Sequence, residues 1–114
     1  MIYKVEPPQD GEYAEVCDWT IRAVVCRLPE NLMEEVTHHV VGLNRATGRG
    51  RVSTAIEAFD PATMTLSTRS GRHYHLVGQP GLHVFAEYVW QYWRALNQAV
   101  HERDVTADYW SGST

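Results

Sequence analysis

The chain has 114 residues and a formal net charge of −4, with 44% hydrophobic and 21% charged side chains. That length makes one domain, residues 1–114, with too much apolar content for a disordered chain and enough to bury a core without metal or disulfide staples. The opening lacks a basic-then-apolar signal pattern and no run reaches the eighteen or so apolar residues of a membrane helix, so a cytoplasmic protein without a membrane partner is expected.

In chain order, residues 1–18 read as an irregular acidic segment. Glu6, Asp10, Glu12, Glu15 and Asp18 follow one another without a cation, and Pro7-Pro8 and Asp10-Gly11 signal turns. A short strand over residues 2–5 precedes those turns. Residues 19–28 read as a strand with Ile21, Ala23 and Val25 on one face, a helix being the rival reading. Pro29 ends it, and residues 30–36 predict a helical turn or two. Cys17 and Cys26, nine residues apart at about 3.3 Å each if both lie on one strand, are too distant for a bridge. They read as two small buried hydrophobes in a reducing compartment.

The middle of the chain has β character. Residues 37–43 and 51–59 are apolar or β-branched runs joined by a hairpin loop over 44–50, and Asp60-Pro61-Ala62 is the next turn. Residues 64–69 then pair with 72–77 across Ser70-Gly71, and Gln79-Pro80-Gly81 breaks the pattern. From there Leu82, Phe85, Val89, Trp93, Leu96 and Val100 recur at spacings of three and four, which predicts an amphipathic helix of about five turns. Residues 111–114 read as a tail. The expected fold is α+β, an antiparallel β-meander of three to five strands packed against one long C-terminal amphipathic helix in two layers.

That helix carries more apolar surface than one sheet needs. At 100° per residue the apolar or aromatic arc spans about 220°, against a little over 100° for a helix on a single sheet. The excess is either covered by the N-terminal segment or a curved sheet, or is a contact surface. Tyr88, Trp90, Tyr92 and Arg94, with Tyr109 and Trp110 near the C-terminus, are the candidate partner-binding anchors, being of the types that dominate interfaces. A self-contact across a two-fold axis is the simplest version.

Motifs with chemistry are sparse. His73 and His75 share a strand face and are weak metal candidates, yet zinc wants three or four ligands, and neither HExxH nor CxxC occurs; solvated histidines are expected, and no cofactor. No serine or cysteine sits in an activating context, so catalytic residues are not assigned and an enzyme is the less favoured reading. Charge is segregated: residues 1–36 carry net −5, residues 37–81 net +3 and residues 82–114 net −2. The cations of the middle are all arginine. Arg45, Arg49 and Arg51 on one hairpin end, with Arg69 and Arg72 on the next but one, are candidates for phosphate or nucleic-acid contact if the two ends converge. A pI of 5.8 favours ordinary solvation of those turns over nucleic-acid binding.

Residues 68–81, followed by Glu87, Tyr88, Val89, Trp90 and Trp93, resemble small accessory proteins of bacterial phages and mobile elements over about a quarter of the chain. The resemblance implies a cytosolic binding protein, such as an inhibitor of a host defence complex. The expectation is therefore a small protein–protein interaction module, with a nucleic-acid-binding protein as the alternative and a metal-dependent activity third.

Overall fold

The computed structural model describes residues 13–27 and 33–111. Its longest strand, β1 (Tyr13–Arg27), is rich in β-branched and aromatic side chains, and the sheet is assembled on it. β2 (Glu34–Asn44) runs antiparallel along one edge, from Arg27↔Glu34 to Val16↔Asn44. The other edge is shared: β6 (His73–Leu76) lies parallel to residues 13–16, and β7 (Val100–Asp104) lies antiparallel to residues 22–25. β3 (Gly50–Val52) pairs with the end of β2, while β4 (Ile56–Asp60), β5 (Thr65–Thr68) and β6 make an antiparallel meander. The order is β3-β2-β1-β6-β5-β4 with β7 beside β1, seven strands in one sheet among the described residues. The helix α1 (Val84–Asn97) precedes β7, and a 3-10 turn at Thr106–Asp108 follows it.

That order dictates a curl. β3 and β4 stand at opposite ends of it, yet only residues 53–55 join them. In a flat sheet, strands about 4.8 Å apart would hold these two about 24 Å from each other. The four Cα steps from Val52 to Ile56 reach at most about 15 Å. The sheet therefore rolls until its edges approach. Ser53 begins the crossover and is held to β2, its amide donating to the Val40 carbonyl and its hydroxyl accepting from the Val40 amide, both at 3.0 Å.

Curling gives the sheet an inside and an outside. Inside lie Val16, Trp19, Ile21, Ala23, Val40, Leu66, Tyr74 and Leu76, closed over by Val105 and by half-buried Tyr109 and Trp110. Asp18 makes this register work. It takes a left-handed φ of 48° at a bulge between Cys17 and Thr20, so Val16 and Trp19, three residues apart, both face inward. Outside, Val24 and Val41 form a second core with Ala86, Trp90 and Ala99. Two glycines permit the close approaches. A Cβ on Gly42 would collide with the Val16 side chain, and one on Gly50 would come within 3.0 Å of the Ala86 Cα, where α1 crosses β3.

Among the described residues the fold is thus mixed α+β, mostly sheet with one helix, but it departs from the expected meander in several places. Seven strands replace three to five, and β1 pairs in parallel with β6. Residues 51–59 are not one strand: the chain leaves β3 at Ser53 and crosses to the far edge of the sheet. Residues 34–36 are strand rather than helix, because β1 supplies a full set of partners there. The helix spans fourteen residues and is followed by β7, so it is neither five turns long nor C-terminal. The acidic segment ends earlier than expected, since residues 13–18 already belong to β1. The expected strand over residues 2–5, Pro29 and residues 112–114 of the tail lie outside the described residues. Cys17 and Cys26 are free and half-buried.

Candidate protein-docking face

The position of α1 decides which of its side chains are available. His83 caps its N-terminus, the ring Nδ1 accepting from the Phe85 amide at 3.1 Å, and Gln98 ends it in a left-handed conformation at φ 52°. The face laid on β1–β3 runs through Ala86, Trp90 and Trp93. Trp90 is fully buried and stacks on Trp93 at 5.3 Å between ring centres. The His39 ring lies beneath, 4.4 Å from Trp93, and the Arg22 guanidinium covers Trp90 at 5.6 Å. Arg22 is itself buried, bonded through Nε to Thr20 at 3.1 Å and ion-paired with Glu87 on the helix and Glu102 on β7. Arg94 joins the same cluster through Glu102 at 3.3 Å.

This contact leaves Leu82, Phe85, Leu96 and Val100 of the expected core stripe in solvent, while Val89 and Trp93 of that stripe are half-buried. Leu82, Val84, Phe85, Tyr88, Tyr92 and Leu96 are between 57% and 78% exposed. The helix is turned roughly a quarter of a revolution from the face its strongest periodicity marks. The sheet surface under it explains why. Arg22 and His39 need the flat rings and the Glu87 carboxylate for cover, and Gly50 admits only a small residue, which Ala86 is. The exposed side carries no charge, since Glu87 and Arg94 both lean toward the sheet cluster. Between it and residues 48–50 runs an apolar groove of about 470 Å³, lined by Val84, Phe85, Tyr88 and Val89.

The anchors read from the sequence therefore divide. Tyr88 and Tyr92 stand on the open face; Trp90 is core, and Arg94 belongs to the buried charge cluster. Tyr109 and Trp110 lie in the other core, closing the inside of the sheet. Tyr109 bonds His38 Nδ1 through its hydroxyl at 2.7 Å and packs on Phe59, and Trp110 meets Trp19 edge-on. Burial raises the Tyr109 pKa.

The arginines do not gather. Arg45 pairs with Glu15 at 3.2 Å, and Arg51 reaches over Gly42 to the Tyr74 hydroxyl at 3.2 Å. Arg69 grips Glu35 through two bonds and touches Glu57, which holds the Glu35 carboxyl below its usual range. Arg72 sits half-buried just ahead of β6. Arg49 is exposed on its loop. The Glu35 anchor of Arg69 and the Arg45 loop are at opposite ends of β2, about 30 Å apart along the strand. His73 and His75 stand on the outer face of β6, opposite buried Tyr74 and Leu76, with His75 3.8 Å from Glu15. Among the described residues no three His, Cys, Asp or Glu side chains come together as a metal site.

One constellation was not visible in the sequence. The His39 Nδ1 donates to the Ser53 carbonyl at 2.8 Å, so Nε2 is the free acceptor and takes the Thr37 hydroxyl at 2.7 Å. A hydroxyl, an imidazole and an orienting carbonyl in line are the parts of an activated nucleophile. Both Thr37 and His39 are buried, His39 directly beneath the α1 tryptophans, and they tie β2 to the Ser53 crossover. Alternation along β2 puts Thr37 and His39 on one face; that α1 covers this face was beyond a sequence pattern. Among the described residues no helix is long and apolar enough to cross a membrane. Comparisons with protein-family models, with curated proteins and with solved structures find no match.

Proposed function

We propose that this chain is a small protein–protein interaction module and that the open side of α1 is its docking face. One observation carries the reading: six large apolar or aromatic side chains on and just before one helix stay more than half exposed, with no charge among them. Side chains of this kind cover about 200 Å² each when fully open, so the face presents on the order of 800 Å², beyond the largest apolar patch of an ordinary monomer. It equals what one partner contributes to a standard interface. An accessory or inhibitory role, as the resemblance at residues 68–81 implies, is served by such a face. The dispersal of the arginines weighs against a phosphate clamp, and their pairing with Glu15, Glu35 and Glu57 weighs the same way.

The test is site-specific photo-crosslinking in living cells. A photoreactive phenylalanine analogue at position 92 is expected to give a covalent protein adduct, and the same analogue at position 75, on the uncovered polar face of β6, to give none. No protein adduct from position 92 overturns the reading.

A further inference from the structure

Resting on that docking face, we infer that its occupant is a second copy of this chain, laid antiparallel across a two-fold axis midway between Tyr88 and Tyr92. Area is the first argument. Two faces of about 800 Å² offer up to about 1,600 Å² for burial together, the size range of a stable specific interface. Spacing is the second. Phe85, Tyr88, Tyr92 and Ala95 follow one another at three, four and three residues, with Val89 and Leu96 flanking, which is the seam by which two helices interlock. About the proposed axis, Tyr88 meets the second copy's Tyr92 near the centre of the seam. Aromatic faces aligned this way favour offset or edge contacts.

Charge is the third argument, and it chooses the direction. The face itself is uncharged, so a chain of net −4 can meet its own copy there without like charges in the seam. The charged residue lining the groove beside it is Arg49, exposed next to the N-terminal half of α1 and in no ion pair among the described residues. In an antiparallel pair each Arg49 lies over the C-terminal end of the opposing helix, whose carbonyls carry partial negative charge. In a parallel pair the two Arg49 guanidiniums face each other.

Sedimentation equilibrium on the purified full chain tests this. The wild type is expected at twice 13.0 kDa. Two double variants then separate the seam from the fold: Tyr88→Glu with Tyr92→Glu, and Tyr88→Lys with Tyr92→Lys. Each alone is expected to be a folded monomer by circular dichroism, and a mixture of the two to form a one-to-one dimer. Arg49→Ala is expected to weaken self-association about threefold to fivefold; tighter association would overturn the antiparallel arrangement. A wild type that stays monomeric at its solubility limit overturns the second-copy inference. In that event a position-92 adduct with a different protein leaves the docking reading standing, and no adduct removes both. An adduct to residues 1–12 of the same chain also overturns the dimer, by putting that segment in the face.

Discussion

His39 shows how a single residue acquires a consequence from burial. Desolvation is the main cause that holds its pKa below 6.5, with the Ser53 carbonyl pulling the other way. The sign follows: below pH 6.5 the unfolded chain binds a proton at this ring that the folded chain refuses. Stability from this residue is therefore complete above pH 6.5 and falls as pH drops toward the folded pKa, by no more than about 1.4 kcal/mol per pH unit. Urea midpoints at pH 7.5 and pH 5 should show that loss in the wild type, and His39→Gln should flatten it. The glycines make a second residue-scale case. Gly42→Ala would press a methyl into the Val16 side chain and within 3.1 Å of the Trp19 Cα, and is expected to cost about 1–3 kcal/mol. The sequence marks neither effect. A histidine pair at 38 and 39 and a glycine within an apolar run look ordinary until β1 and α1 are placed on either side of them.

At the scale of the helix, periodicity located α1 but misassigned its face. Leu82, Phe85, Leu96 and Val100 outnumber the residues that are buried, so counting favours the wrong stripe. What decides the face is the partner surface: a buried arginine, a buried histidine and a glycine select tryptophan and alanine from the flank. Trp90 is thus a packing residue. Trp90→Ala is expected to lose about 3–5 kcal/mol of unfolding free energy, whereas Tyr92→Ala should leave monomer stability within about 0.5 kcal/mol. Chemical denaturation under monomeric conditions compares the two directly. The helix end offers the opposite sign. Gln98 holds a left-handed conformation that glycine adopts freely, so Gln98→Gly is expected to gain about 0.5 kcal/mol and raise Tm by about 2 °C. The strands follow the same rule. The hairpins at 44–50 and 69–72 were legible because turn chemistry is local. The break at Ser53 was not, since it exists to carry the chain from one sheet edge to the other.

The whole molecule ties the unreadable part of the fold to its open face. The parallel pairing of β1 with β6 joins residues about sixty apart, and no local pattern records a contact of that range. Yet this pairing closes the sheet, gives β1 and β2 a core on each side, and leaves α1 lying outside with one face used and one free. Covering that free face links folding to concentration, because a dimer unfolds to two chains and is stabilised by mass action. Raising the protein concentration a hundredfold adds about 2.7 kcal/mol per dimer, and with about 2.1 cal/mol/K of unfolding entropy per residue this moves Tm by about 5–6 °C. Differential scanning calorimetry from about 5 to 500 µM should show that rise for the wild type. The Tyr88→Glu/Tyr92→Glu variant should melt at one temperature throughout, since its core is intact and only the exposed seam is altered. A wild-type Tm that ignores concentration would mean that the α1 face stays open in the isolated protein, and the aromatic side chains would then be held for a partner of a different sequence.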